Sequence, residues 1–457
     1  MSAAFTPSVL SSTALKLSNT TSSRFTLHSI GCLVGAMLIS APSLAAQEQN
    51  SQLIDCRASE YFNGWPEVGM SKGGHLPGAI NVRPEWLNAM SASEKQAYLF
   101  EQKQLDASKP TQVYCAAKKA ELLVEQLKDA GFKSVSLKKN ALQENMNQLV
   151  ALPHFEQLVS ADWLNRLVNQ PAELAALLPK APKHQFTVIE AGWGAPKSYL
   201  VSHIKGAVYA DTNLFESEPL WNQVSDDKLK SAIEALGILP DSTVILYGRD
   251  NMAAARIGQI LMYAGVADVR LLDGGWDAWQ SGEFATESGD VKAEKSSFDS
   301  AIPAHPEYVI GLNSAKQLLK DPEHNSLVSV RTWSEYIGDI SGYTYIEPKG
   351  RIAGAKWGQG GKNANNLDDF TNPDGTMRAA EEIARKWRDW NIYPDQNVSF
   401  YCGTGWRAAE VFLFAHAMGW SNISVFDGGW YEWSMDKSNP TQTGAVSAAN
   451  ATAVPKA

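Results

Sequence analysis

Apolar residues in this chain fall into short runs that end at a charge or a cysteine, and the runs come in the same order three times. The first of each set is Leu53-Ile-Asp-Cys-Arg57, Phe186-Thr-Val-Ile-Glu190 and Leu327-Val-Ser-Val-Arg331. A turn of similar make-up follows: His75-Leu-Pro-Gly-Ala79, His203-Ile-Lys-Gly-Ala207 and Arg351-Ile-Ala-Gly-Ala355. A second apolar run comes next, at Gln112-Val-Tyr-Cys115, Thr243-Val-Ile-Leu-Tyr247 and Val398-Ser-Phe-Tyr401. Each then gives way to a helical stretch that reaches glycine at Gly131, Gly265 or Gly419, followed by another short run. Short continuous apolar runs read as strands buried on both faces. Strands alternating with helices at this spacing predict an α/β fold built three times, each a mainly parallel sheet with helices on both faces. The repeats divide the chain into domains at about 47–150, 151–292 and 300–440, with linkers around Leu152–Phe155 and from Lys292 to Pro303. Residues 441–457 are small and polar and are expected to be disordered.

Two repeats share a stricter frame. Cys402 opens Tyr401-Cys-Gly-Thr-Gly-Trp-Arg407, and Asp427-Gly-Gly-Trp430 begins 25 residues after the cysteine, with Trp433 beyond it. The same frame lies 154 positions earlier, where Asp273-Gly-Gly-Trp276 and Trp279 match the second motif. There Gly248 stands in place of Cys402 and Ala253 in place of Arg407. The first repeat keeps a cysteine, Cys115, but continues Ala-Ala-Lys-Lys-Ala and has no Asp-Gly-Gly-Trp. Gly131 follows Cys115 by 16 residues, against 17 from Gly248 to Gly265 and from Cys402 to Gly419, so its loop is a residue short. It is expected to be structural.

Length, charge and cysteine count narrow the setting. A chain of 457 residues exceeds one simple core. The formal charge of −9 and the lack of an Arg/Lys block argue against a nucleic-acid partner. Residues 1–46 read as a secretory signal: Lys16 and Arg24 are their only charges, an apolar stretch runs from Ile30 to Leu44, and Ser43-Leu-Ala45 offers small residues for cleavage. The expected mature protein is periplasmic, monomeric and not inserted in a membrane. It keeps Cys56, Cys115 and Cys402, an odd number that leaves at least one thiol free. No closely spaced Cys/His cluster suggests a metal site or a cofactor.

A loop that leaves a strand and enters a helix turns backbone N–H groups inward and makes an anion cradle at the helix N-terminus. Gly403 and Gly405 permit the tight turn, and the same field favours a thiolate at Cys402. Arg407 adds positive charge, and Trp406 is placed to wall a pocket. The plainer alternatives are a buried core cysteine at Cys402, an ion pair at Arg407 and domain packing at Trp406. Two glycines, a helix start and a terminal arginine weigh against the first. Arg331 and Glu335 are expected to form a structural ion pair. The turn position held by His75, His203 and Arg351 is not a general base, because the third repeat has no histidine there. The repetition of Asp-Gly-Gly-Trp beside a loop without cysteine marks that motif as mainly architectural.

Taken together, the charged strand ends, the Gly74-His-Leu-Pro-Gly-Ala79 turn, the cysteine loop and the Asp-Gly-Gly-Trp turn resemble the rhodanese family of sulfurtransferases over nearly all of the chain after residue 50. The resemblance implies three tandem rhodanese-like domains, with Cys402 the one active cysteine. It implies substrate binding by the main chain of Gly403, Thr404, Gly405, Trp406 and Arg407. It also implies a cleft walled by residues 151–292, where Arg249 is a candidate contact. The implied reaction moves a sulfane sulfur from thiosulfate through a Cys402 persulfide to cyanide or a thiol, releasing sulfite. The loop departs from the thiosulfate pattern of two basic residues after the cysteine, here Gly403-Thr404. It is nearer the mercaptopyruvate pattern but ends in Trp406-Arg407. 3-Mercaptopyruvate is therefore the alternative donor, and a non-enzymatic sulfur carrier or scaffold the alternative class. Cysteine phosphatases use Cys-x5-Arg; only four residues separate Cys402 from Arg407, which argues against phosphate chemistry.

Overall fold

In the computed structural model, which describes residues 51–447, the predicted strands form three parallel sheets. The expected signal segment and the end of the C-terminal tail lie outside the described residues. The first sheet runs, edge to edge, Ala79–Asn81, Gln52–Asp55, Thr111–Tyr114, Val135–Leu137. The middle sheet runs Leu158–Val159, Asp268–Leu272, Thr243–Gly248, Phe186–Gly192, Val208–Asp211. The third repeats that order with Val309–Ile310, Ile423–Phe426, Asn397–Tyr401, Asn325–Ser329, Lys356–Trp357. The central strand Thr243–Gly248 is buried at every position, as a strand covered by helices on both faces must be. Among the described residues no helix is long and apolar enough to cross a membrane.

The middle and third domains each add a separate two-stranded antiparallel sheet. His203–Ile204 pairs antiparallel with Thr286–Glu287, and Arg351–Ile352 with Thr441–Gln442. The expected disordered tail is therefore ordered at its start: Thr441 and Gln442 find backbone partners on a turn strand that would otherwise be an open edge. The expected linkers are packed. Leu152 is buried and donates its amide to Asn63 O (2.8 Å), while His154 donates to Ala417 O (3.2 Å), joining the first and third domains. Phe298 in the second linker is fully buried.

Parallel register explains the cysteine pairing that sequence left open. Asp55 lies opposite Tyr114, so the next residues, Cys56 and Cys115, leave adjacent strands side by side. They form a disulfide with a Cα–Cα distance of 5.3 Å, and Cys402 is the free cysteine among the described residues.

Candidate active site

The strand Asn397–Tyr401 delivers Cys402 to the carboxyl edge of the third sheet, and the helix Trp406–Ala417 starts four residues later. The loop between them is tight because Gly405 takes a φ of +112°, a conformation open to glycine and costly for other residues. That turn aims the Gly405 amide at the cysteine, donating to Sγ at 3.2 Å. The first amides of the helix have no intrahelical acceptor, so the helix presents donors and the positive end of its dipole to the loop. Cys402 is 2% exposed.

Beneath the loop is a buried charge network. Arg407 makes a two-pronged pair with Glu335, each arm 2.9 Å. Glu335 also accepts from Arg331 Nε (3.2 Å) and, as part of a capping box with Thr332, from the Thr332 amide (2.9 Å). Burial pushes the Glu335 carboxyl up, but Arg407 and then Arg331 outweigh it and hold it at about 2. Arg407 also donates to the Tyr343 hydroxyl, which accepts the Gly403 amide at 3.0 Å. The expected Arg331–Glu335 pair is thus the foot of a longer chain that runs through Arg407 and Tyr343 to the loop backbone.

The middle domain covers the loop. Its hairpin, Glu216–Ser217 paired with Asn222–Gln223, places Glu216 so that Oε1 accepts from Trp406 Nε1 at 2.6 Å. Fully buried Arg256 donates to Glu216 (3.1 Å) and to Asp427 of the third domain. Asp427 also accepts the Gln223 amide at 2.8 Å. The Asp-Gly-Gly-Trp turn holds the loop from behind: the amides of Trp430 and Tyr431 donate to the carbonyls of Cys402 (2.8 Å) and Gly403 (3.1 Å).

Between the two domains lies a cavity of about 1040 Å³. Its lining takes in Cys402, Thr404, Trp406, Arg407 and Arg249; Gly403 and Gly405 are covered instead by the Tyr343 ring and the Arg256 guanidinium. Arg249 reaches the cavity wall but is committed to its own domain: it donates to Glu190 (3.0 Å) and to the Ser198 and Ser202 carbonyls, and lies 4.2 Å from the Trp276 ring centroid. Sequence reasoning missed Tyr343, Glu216 and Arg256. Arg256 had a signal: it stands 154 residues before Glu410, so one helix face carries opposite charge in the two matched repeats.

Comparison with known proteins gives the family. The rhodanese-like domain model matches residues 41–145, 170–282 and 312–436. The chain belongs to the rhodanese-like family. It is 50% identical over 401 residues to the thiosulfate sulfurtransferase YnjE of Escherichia coli, covering 87% of this chain and 90% of that one. The crystal structure of YnjE superposes with a TM-score of 0.85 and 47% identity, over 89% of this chain and 97% of YnjE. A thiosulfate sulfurtransferase of Corynebacterium glutamicum is 28% identical over 64% of this chain and 92% of its own length. The anaerobic ergothioneine biosynthesis enzyme from Chlorobium limicola, solved with trimethyl histidine, gives a TM-score of 0.80 at 33% identity, over 87% of this chain and 96% of that one.

Proposed function

We propose that this rhodanese-like protein is a thiosulfate sulfurtransferase acting through a Cys402 persulfide. The observation that carries the reading is Cys402 Sγ at the floor of the interdomain cavity, accepting the Gly405 amide at 3.2 Å at the start of a helix. The thiolate attacks the outer sulfur of thiosulfate, the S–S bond breaks, and sulfite leaves with the electron pair. Loop amides and the helix N-terminus stabilise the departing anion. A thiol or cyanide then takes the terminal sulfur and restores the thiolate, a two-step covalent cycle. Glu335 neutralises Arg407, so Arg407 supports the loop through Tyr343 while the main chain binds the anion.

Intact-mass analysis after incubation with thiosulfate tests this. One added sulfur atom on the Cys402 peptide, absent in Cys402→Ser, is the expected result. An adduct with 3-mercaptopyruvate and none with thiosulfate would transfer the assignment to that donor.

The reading extends to location and assembly: an exported, periplasmic monomer with residues 1–46 removed. The Cys56–Cys115 disulfide supports it, because disulfides persist in oxidising compartments. N-terminal sequencing of protein recovered from the periplasmic fraction checks it; an intact Met1 would overturn it.

A further inference from the structure

The cavity is far larger than its floor chemistry requires. Cavities of roughly 300–1,000 Å³ take drug-sized organic ligands, and a thiosulfate ion held at the Cys402 loop leaves most of the 1040 Å³ unused. Aromatic side chains make up part of the remaining wall. Trp193, Tyr209 and Trp221 come from the middle domain, Tyr345 and Tyr431 from the third. Trp193 and Trp221 meet edge to face, with centroids 6.3 Å apart and planes at 80°, which makes a corner of two indoles. Trp193 is 65% exposed, a large apolar surface left facing solvent.

The hairpin that carries Trp221 holds it in an unfavourable conformation. Its φ of 60° is rare for a bulky side chain, and backbone strain of this kind is kept where surrounding contacts fix it. Those contacts are the Trp221 amide to Ser217 O (2.9 Å) and Arg256 Nη2 to Trp221 O (3.4 Å).

Most charges on the wall are already satisfied. Glu190 pairs with Arg249, Glu216 with Arg256, and Arg407 with Glu335. Asp250 caps a helix by accepting the Met252 amide. Among the described contacts, Glu218 and Lys197 have no ionic or hydrogen-bonding side-chain partner. Glu218 lies three residues before Trp221 on its hairpin, and Lys197 opens the helix Lys197–Val201. Indole faces beside a free carboxylate are the recognition chemistry of a methylated ammonium group, whose diffuse charge favours ring faces.

We propose that this part of the cavity is the acceptor site and that it takes a thiol bearing an N-methylated cation, the ammonium seated at Trp193 and Trp221 beside Glu218. The proposal rests on the sulfurtransferase reading. The acceptor thiolate attacks the terminal sulfur of the Cys402 persulfide. A new S–S bond forms, the Cys402–sulfur bond breaks, and its electron pair returns to Cys402 as thiolate. The product is the acceptor persulfide, and no external oxidant or reductant is consumed.

The test separates the two readings. Protein charged with thiosulfate, with the extra sulfur confirmed by mass, is mixed with thiocholine, 2-mercaptoethanol or mercaptoacetate. Single-turnover discharge is compared at equal thiolate concentration. Thiocholine is expected to discharge roughly tenfold faster than 2-mercaptoethanol at low concentration, with mercaptoacetate slowest. In Trp193→Ala and Glu218→Gln the thiocholine advantage should fall towards parity; both residues are exposed, so these variants are expected to fold. Equal rates for thiocholine and 2-mercaptoethanol, or an advantage unchanged in both variants, would overturn the acceptor site. If no persulfide forms, the donor reading fails, and choline titrated calorimetrically into uncharged protein still decides the cation site. Choline heat that is lost in Trp193→Ala supports the site; no heat with the intact chain overturns it.

Discussion

Tyr343 connects the charge network to the loop, because its hydroxyl accepts both the Gly403 amide and Arg407. Tyr343→Phe keeps the ring that packs on Gly403 but leaves that N–H without its acceptor, and an unsatisfied buried donor costs about 1–3 kcal/mol. We expect persulfide formation from thiosulfate to slow roughly tenfold, a change of about 1.4 kcal/mol in the barrier, with the far-ultraviolet dichroism unchanged. A full wild-type rate would show that Arg407 and the helix start hold the loop unaided. Cys402, Gly403 and Gly405 were legible in the sequence because a tight turn into a helix constrains residue types within a few positions. Tyr343 was not. It lies in an irregular stretch 59 residues before Cys402, where no periodicity marks a side chain for duty.

The loop and helix that follow each central strand show how one element keeps its shape without the cysteine. In the middle domain Asp250 accepts the Met252 amide at 3.0 Å, so the helix N-terminus is capped by the chain's own carboxylate. A Cβ at Gly248 would lie 2.3 Å from the Asp250 carbonyl oxygen. Restoring the cysteine therefore requires moving backbone, and the cradle it would occupy already holds an anion. In a Cys402→Ala background, Gly248→Cys is expected to give no persulfide with thiosulfate by intact mass; a stable adduct at position 248 would refute this. The 154-residue frame made the cysteine-free copy readable from sequence. That Asp250 fills it was not readable, because an aspartate two residues past a strand is an ordinary turn residue until its bond is seen.

At the scale of the whole molecule, the helices Asn251–Ala264 and Trp406–Ala417 pack against each other, and each sends a central residue to the other domain's loop. Arg256 lies against Gly405, where an added Cβ would come within 3.1 Å of its guanidinium carbon, and ties Glu216 to Asp427. Glu410, its counterpart, faces Asn251, Asp250 and Asp273. The repeated motif aspartates face across as well: Asp427 accepts from Arg256 and Gln223, and Asp273 from the Met377 amide at 2.7 Å. Arg256→Leu leaves two buried carboxylates without their cation, and breaking a buried pair costs about 3–5 kcal/mol. Thermal unfolding should show that loss, together with a marked fall in sulfur transfer. Glu216→Gln combined with Arg256→Leu should recover part of the stability. Burial, reinforced by Asp250 and Asp273, pushes the Glu410 carboxyl up to about 8, and burial pushes Asp273 to about 8. A carboxyl raised above its unfolded value of about 4 binds more protons in the native state, so its contribution to stability is lost as pH rises from there towards about 8. Melting temperature should therefore fall between about pH 5 and pH 8, and Glu410→Gln should flatten that slope. An unchanged slope would remove Glu410 from the account.

The sequence alone determined the threefold α/β plan, the cysteine loop proposed to carry the chemistry, its cysteine-free copy and the sulfur-transfer class. Each depends on local spacing: strand length, a glycine turn, and the count from Cys402 to Arg407. Only the tertiary structure decided how the parts face one another. It pairs Cys56 with Cys115, commits Arg249 to Glu190, and places Arg407 on Glu335 beneath the loop. The third domain's Asp374 reaches Arg83 (2.8 Å) and Trp86 (2.7 Å) of the first, and Arg256 lies under Gly405 from the second. These contacts join residues far apart in the chain, and which of many charged side chains meet is set by sheet register and domain packing, which no local pattern records.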